Sequence, residues 1–389
     1  MSNWSLVELG EVAQVKGGKR LPKGMSLQEK NNGSPYLRIV DWLDGYFDAS
    51  KLMYVPDAAR AQISRYTVST GDVFISIAGT VGRISLIPAE LDGAFLTENA
   101  AKISVDSDLV LPQFLKFALS SPQGQEEISS LTVGSTQPKL ALQSIKSIRI
   151  PLPPLSEQRA VAEVLGALDD KIAANNKTIQ LADSLTSALA EDAFSRGNFV
   201  PLASIAEITM GNSPKGETLN EDGEGLAFFQ GIRDFGVRYP QERVSSTAPT
   251  RFAKELDTLF SVRAPVGTVN LAGMPCSIGR GISALSSKTE TPYALFQAVR
   301  ASKIWERYNA EGTVFGSINR KQLEQSEIPW VFHSERYELE STLAGLERLL
   351  RTATVMNETL SSIRDTLLPQ LMSGKLRVRE AEAVVEDVL

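Results

Sequence analysis

The chain has 389 residues, of which 42% are hydrophobic and 22% charged, with a net charge of −6. At roughly 150 residues per domain this length suits two to three domains with more than one buried core, and the composition excludes disordered, collagenous and low-complexity classes. A single cysteine, Cys276, and a single histidine, His333, exclude an intramolecular disulfide and the usual Cys/His zinc sites, so any metal would need oxygen ligands. The opening MSNWSLVELG has no basic stretch followed by an apolar one, and the most apolar run, Val73 to Ile87, is interrupted by Gly79, Gly82 and Arg83. Neither a targeting segment nor a membrane span is expected, which places the protein in the cytoplasm. The negative charge argues mildly against a nucleic-acid binder. Glu380, Glu382, Glu386 and Asp387 fall in the last ten residues without a basic one, however, so the remainder carries only −2 and can hold a basic face.

Up to Ile150 the apolar segments are short, rich in Val, Ile and Phe, and separated by Gly, Pro, Asn and Asp, which predicts strands and turns. Lys16, Lys19, Arg20 and Lys23 fall in a Gly-rich loop after the first strand, and Arg38, Arg83, Ser135, Thr136, Gln137 and Lys139 follow along the same segment. Asp41, Asp44 and Asp48 have a loosely calcium-like spacing but lack the closing bidentate Glu, so a solvated turn is the preferred reading. One helix is expected in this stretch, Pro112 to Ser120. After IPLPPLSEQ the chain turns Ala/Leu-rich and proline-free from about Glu157 to Phe194, a long helix.

The same texture then returns. Val7-x-Leu9-x-x-Val12-Ala13-x-Val15-x-x-Gly18 matches Val200-x-Leu202-x-x-Ile205-Ala206-x-Ile208-x-x-Gly211; DVFISIAGTVG from Asp72 matches DTLFSVRAPVG from Asp257; and Gly134, Ile150-Pro151 and Ser156-Glu157 match Gly312, Ile328-Pro329 and Ser334-Glu335. A period near half the chain length means a duplicated architecture. The second copy has its own helix at Pro292 to Ser302 and its own long helix from about Glu335 to Leu368. Its loops carry Asn212, Ser213, Lys215, Gln230, Arg233, Arg263, Thr313 and Arg320 as rough counterparts of the first copy's candidates. Cations beside hydroxyl and amide groups are what hold phosphates and read base edges. A charged loop is usually only solvated; recurrence at matched places singles this group out as candidate DNA-binding residues.

In the long helices, Leu165, Leu168, Ile172, Asn175 and Ile179 in the first and Leu343, Leu346, Leu350, Ala353, Asn357 and Leu360 in the second alternate spacings of three and four. That 3.5-residue repeat predicts a coiled-coil seam. Asn175 and Asn357 either fix its register or are merely tolerated in it. Catalytic constellations are poor: His333 suits packing or capping, Cys276 a small buried hydrophobe, and neither a Gly-x-Ser-x-Gly elbow nor a phosphate-binding loop occurs.

The run Ile150-Pro-Leu-Pro-Pro-Leu-Ser-Glu-Gln-Arg159 into ALDDKI, the Gly134-Ser-Thr-Gln137 turn and Leu367-Leu-Pro-Gln-Leu-Met-Ser-Gly-Lys-Leu376 strongly resemble the DNA specificity subunit of type I restriction-modification enzymes. With the repeat, the match spans essentially the whole chain. The resemblance implies an α+β fold with two similar target-recognition domains, 1–150 and 197–330, separated by a central spacer helix, 151–196, and a C-terminal spacer helix, 331–376, that pair as an antiparallel coiled coil. An acidic tail, 377–389, follows. It further implies a bipartite double-stranded DNA target, docking of two modification subunits and of restriction subunits, and no cofactor in this chain, with S-adenosylmethionine and ATP/Mg on the partners; the chain is then not an enzyme by itself. Copy two departs from the pattern, with Thr313-Val-Phe315 after Gly312 and Arg336 after Ser334-Glu335, so packing is as good a reading of Phe315 as base stacking. A coiled-coil adaptor with duplicated protein-binding domains is the reading from another class, and a self-contained DNA-modifying enzyme a third.

If the paired helices set the half-site separation, one heptad inserted into each should lengthen the rod by about 10 Å with the seam in register. That corresponds to about three base pairs at roughly 3.4 Å each, which also rotate the duplex by about 100°. Selection from duplexes of varied spacer length is expected to favour a spacer about three base pairs longer whatever happens to affinity. An unchanged preference would show that the helices are not the ruler.

Overall fold

The computed structural model describes residues 4–43, 45–47, 51–309 and 316–388. Two compact units divide it, Met1–Ala174 with Met356–Leu389, and Asn175–Val355. In the first unit the segment VFIS, Val73–Ser76, is buried on both faces, and only an interior strand can hide both faces while pairing all its backbone groups. It pairs antiparallel with Ala100–Val105 on one side and Ile84–Leu86 on the other, and Ala13–Gly17 adds beyond Ala100–Val105. The second unit repeats this sheet. TLFS, Thr258–Ser261, is again buried throughout and lies between Ile282–Ser287 and Val269–Leu271, with Ala206–Met210 outermost.

Each recognition segment starts and ends at one place. Ser5–Glu8 pairs antiparallel with Arg149–Leu152, and Asn198–Pro201 with Glu327–Trp330. Helix Pro112–Ser120 covers the first sheet through Phe114, Leu115, Phe117 and Leu119, and helix Pro292–Ala301 covers the second through Leu295, Ala298 and Val299. Both begin with proline at the first turn, where its missing N–H costs nothing.

The long helices are Leu155–Arg196 and Arg336–Met372, of 42 and 37 residues. Within the first unit, Val161, Val164, Leu165 and Leu168 share one core with Leu360, Leu367, Leu368 and Leu371, and Asp169 pairs with Arg364 at 3.0 Å. Within the second, Ala190, Ala193 and Phe194 share a core with Leu339 and Leu343, and Arg196 meets Glu335 at 3.3 Å. The start of one helix therefore lies against the end of the other: they run antiparallel. Leu165, Leu168, Leu343, Leu350 and Leu360 are buried, while Ile172, Asn175, Ile179, Leu346 and Asn357 are half-buried.

Three sequence expectations need correction. The recognition segments hold more than one helix each: Asp57–Ile63, Pro122–Ser130 and Leu142–Lys146 occur in the first, and Leu202–Ile205 and Arg320–Glu324 in the second. Pro122–Ser130 is nearly all polar, so no apolar stripe announces it; a proline at its start and the Ser121 hydroxyl accepting from Gly124 N–H nucleate it. The C-terminal long helix runs through Pro369 to Met372. And 377–389 is not simply an acidic tail, because Val378–Glu386 is a helix whose Ala381 and Val385 are buried in the first unit's core while its acidic residues stay outside.

In the second unit the recognition segment grips both long helices through buried charge. Arg238, with 4% of its side chain exposed, lies 2.6 Å from Glu347 of the C-terminal helix and 2.6 Å from Asp183 of the central one. Arg300 forks onto Asp183 at 2.6 and 2.8 Å, and Tyr239 donates to Glu347 at 3.1 Å. Burial pushes the Glu347 carboxyl up, partly offset by Arg238. Replacing Glu347 with Ala leaves a buried guanidinium half-neutralised and is expected to cost about 3 kcal/mol or more, read by chemical denaturation. A loss below about 1 kcal/mol would show that Asp183 alone suffices.

Candidate nucleic-acid interface

Because the sheet is antiparallel, Ala13–Gly17 and Val73–Ser76 end where Ala100–Val105 and Ile84–Leu86 begin. The loops leaving that end are tied by their backbones. Gly18 N–H donates to Ala100 O at 3.0 Å, Lys19 N–H to Leu96 O at 2.8 Å, Ile77 N–H to Asn99 O at 2.7 Å, Leu140 N–H to Ile77 O at 2.9 Å and Gly79 N–H to Pro138 O at 3.2 Å. Four separate loops thus form one rim, and most of the first copy's candidates sit on it or beside it.

The second unit makes the same five bonds. Gly211 N–H donates to Ile282 O, Asn212 N–H to Ile278 O, Val262 N–H to Gly281 O and Ile318 N–H to Val262 O, each at 3.0 Å, and Ala264 N–H to Gly316 O at 2.9 Å. Gly18 and Gly211 permit a close approach that a side chain would block, since a Cβ would lie 2.0 Å from Thr97 O in one and 2.1 Å from Gly279 O in the other. These bonds give a residue-by-residue correspondence: Arg20 with Ser213, Glu98 with Arg280, Ala78 with Arg263, and Lys139 with Ser317. The parallel pairings Leu37↔Leu96 and Phe229↔Ile278 place Gln230 at the position of Arg38. The sequence order sets Arg263 against Arg83 and Arg320 against Lys139, and both pairings are corrected. Arg263 answers Ala78, and Arg320 opens a helix whose partner begins at Leu142.

Side-chain environments differ from candidate to candidate. Lys16 is not in the loop but in the strand, opposite Lys102. Lys19, exposed, lies 5.9 Å over the Tyr66 ring, and Lys23 is exposed. Arg20 donates through Nε to Glu98 at 2.6 Å. Burial raises the Glu98 carboxyl, but hydrogen bonds from Arg20, its own backbone and Thr97 outweigh this and hold it below the usual range. Arg38 forks onto Asp41 at 2.9 and 2.6 Å and donates to Lys51 O. Arg83 is exposed, its guanidinium 4.8 Å over the Trp42 ring. Ser135, Thr136, Gln137 and Lys139 are exposed in one turn that pairs back on itself at Val133↔Lys139.

In the second unit Asn212 and Gln230 are exposed, and the Ser213 hydroxyl donates to Gln230 Oε1 at 2.8 Å. Lys215 lies 3.8 Å from Glu217 and Arg320 2.7 Å from Glu324, both exposed pairs of little energetic weight. Arg233 and Arg263 are exposed. Thr313 and Phe315 lie outside the described residues. Sequence reading missed Glu98, Trp42 and Arg280: the first two are an acid and an aromatic among cations, and Arg280 has no basic counterpart in copy one.

The remaining chemistry is structural. Cys276 is buried and its thiol pushed up to about 12 by burial, so it behaves as the small hydrophobe expected. His333 is exposed in a turn and does not pack. Asp41 is buried against Arg38 rather than solvated, and Asp44 and Asp48 lie outside the described residues. Among the described residues there is no cluster of three or more metal-ligating side chains, and no helix is long and apolar enough to cross a membrane.

Known proteins share this pattern. Residues 1–182 match the model of the type I restriction modification DNA specificity domain. A Methanocaldococcus jannaschii protein named for the specificity subunit of the type I restriction enzyme MjaX is 26% identical over 97% of this chain and 94% of its own length. The EcoBI specificity subunit of Escherichia coli is 27% identical over 42% of this chain and 35% of its own. In fold, the chain resembles the crystal structure of a type I restriction-modification S subunit from M. genitalium, with a TM-score of 0.63, 18% identity, and coverage of 95% of this chain and 96% of that one.

Proposed function

The chain belongs to the type I restriction-modification DNA specificity family, and from that premise we propose that each unit's rim binds one half of a bipartite duplex target. The observation that carries this is the pair of matched rims: ten backbone bonds, five in each unit, hold the same loops in the same places, while the positions of Arg20, Arg38 and Glu98 in one are taken by Ser213, Gln230 and Arg280 in the other. One scaffold with two different sets of polar groups suits two different half-sites. The chain is a specificity component and not by itself an enzyme. Methyl transfer from S-adenosylmethionine then falls to modification subunits, and ATP-driven work with Mg to restriction subunits, all acting in the cytoplasm.

Two measurements test the reading. Exchanging residues 1–150 for those of a related subunit, in a host that also carries the modification subunit, should change one half of the methylated motif and leave the other; a change in both halves would show that the two segments do not read independently. For the partners, we propose two modification subunits per chain, docked on the outward faces of the long helices and the corner from Pro151 to Gln158, because the duplicated sequence offers two similar surfaces. Native mass spectrometry at saturating partner should give two per chain. A strict one-to-one complex contradicts it.

A further inference from the structure

Glu98 and Arg280 occupy the same point of the two rims with opposite charge, and the residues facing them change as well. In the first unit the facing residue is Arg20, which Glu98 holds through Nε at 2.6 Å. In the second it is Ser213, whose hydroxyl accepts from Arg280 N–H at 3.5 Å. Each unit therefore places one guanidinium at this junction, supplied by opposite loops.

Both are arranged to present donors. Glu98 spends Oε1 on Arg20 and Oε2 on Tyr36 and Thr97, at 3.3 and 3.2 Å. It engages Arg20 through Nε and leaves both terminal nitrogens, the pair that forks onto a base edge, unused by that contact; the Arg20 side chain is 79% exposed. Arg280 is exposed, and among the described residues its side chain has no ion pair or hydrogen bond. Its loop is pinned by Gly279 N–H to Phe229 O at 2.9 Å, Gly281 N–H to Gln230 O at 3.1 Å and Val262 N–H to Gly281 O at 3.0 Å. A Cβ at Gly279 would lie 2.4 Å from Gln230 Oε1, and one at Gly281 2.5 Å from Gln230 O. Arg280 thus projects from between two closely packed glycines, on a backbone with little freedom to move. Beside it, Ser213 occupies the oxygen of the Gln230 amide, which leaves the NH2 as that group's contribution.

An arginine fork with a neighbouring NH2 matches an edge that only accepts. In the major groove guanine presents N7 and O6, two adjacent acceptors, whereas adenine mixes acceptor with donor, cytosine presents a donor, and thymine offers the single acceptor O4 beside its methyl group. We propose that Arg280 in the second unit, and Arg20 in the first, each select a guanine in the half-site their unit reads. The assignment rests on the DNA-specificity reading above and deepens it.

The test uses the full chain in complex with its modification subunit and pools of duplexes with each half-site randomised in turn. Arg280→Ala should lower the preference for guanine at one position of one half-site by roughly 10- to 100-fold and leave the other half unchanged; Arg20→Ala should do the same in the other half. Arg280→Lys keeps the charge but loses the planar fork, so it should retain the salt dependence of binding while discriminating guanine less sharply than the arginine does. Circular dichroism melts of these exposed variants separate misfolding from lost contact. A uniform loss across all sequences, with a salt slope shallower by about one, would make Arg280 a phosphate contact and overturn the assignment. Unchanged selectivity, or loss of preference at a position that is not guanine, would also overturn it. A wild-type complex that selects no sequence at all would instead bring down the specificity reading itself.

Discussion

Everything on the recognition rims hangs from two strands that have no outward face. Val73–Ser76 and Thr258–Ser261 are buried along their whole length, and a strand covered on both sides must have a neighbour on each edge and a layer over each face. Phe74 and Phe260 show the consequence: each is fully buried and each meets another ring edge-on, Phe47 at 5.0 Å and Trp305 at 4.8 Å. Alternation cannot fix the register of such a strand, so its antiparallel neighbours do. With register fixed, the loops at one end of the sheet come within backbone hydrogen-bonding reach of each other. The rim follows from the core.

The frame tolerates exchange of ionic partners at a kept backbone position. Asp41 and Asp234 are both buried in matched short turns, yet Asp41 is neutralised by Arg38 three residues earlier and Asp234 by Arg243 nine residues later, at 3.0 Å. The junction of Arg20 with Glu98 and of Ser213 with Arg280 is a second such exchange. In both places the backbone position is kept and the ionic solution differs. This is how a duplicated fold acquires two distinct surfaces without losing its scaffold.

The duplication, the central strands and the long helices were legible in the sequence because each leaves a periodic or repeated trace: the match of Asp72 onward with Asp257 onward, and the alternating spacing of Leu165, Leu168 and Ile172. Short helices were not, because Pro122–Ser130 is held by its Ser121 cap and Leu142–Lys146 by the burial of Ile145 in a core supplied from elsewhere in the chain, rather than by an apolar stripe. The C-terminal helix was hidden by its acidic face, since Ala381 and Val385 are too small a signal among glutamates. At the candidate interface the sequence located the loops but not their partners. Which cations are committed, such as Arg38 to Asp41, depends on side chains brought close by folding, and Arg280 escaped notice because its counterpart has the opposite sign.

The pairing of these cations bears on how an acidic chain can serve as a DNA reader. Non-specific affinity comes from cations that displace phosphate counterions, and each one adds nearly a full unit to the salt slope. Arg20, Arg38, Lys215 and Arg320 each have a carboxylate within 4 Å, Glu98, Asp41, Glu217 and Glu324, which reduces the field they project toward any phosphate. The geometry of a guanidinium fork, by contrast, survives a carboxylate on its Nε side. On the reading proposed above, Arg20, held through Nε alone, gives up affinity for DNA in general while keeping both terminal nitrogens for a directional contact, and it is the ratio of specific to non-specific binding, not affinity alone, that decides whether a rare site is found among many wrong ones. The net charge of −6 is then no obstacle to recognition; together with the paired rims, it weights the chain toward discrimination over grip.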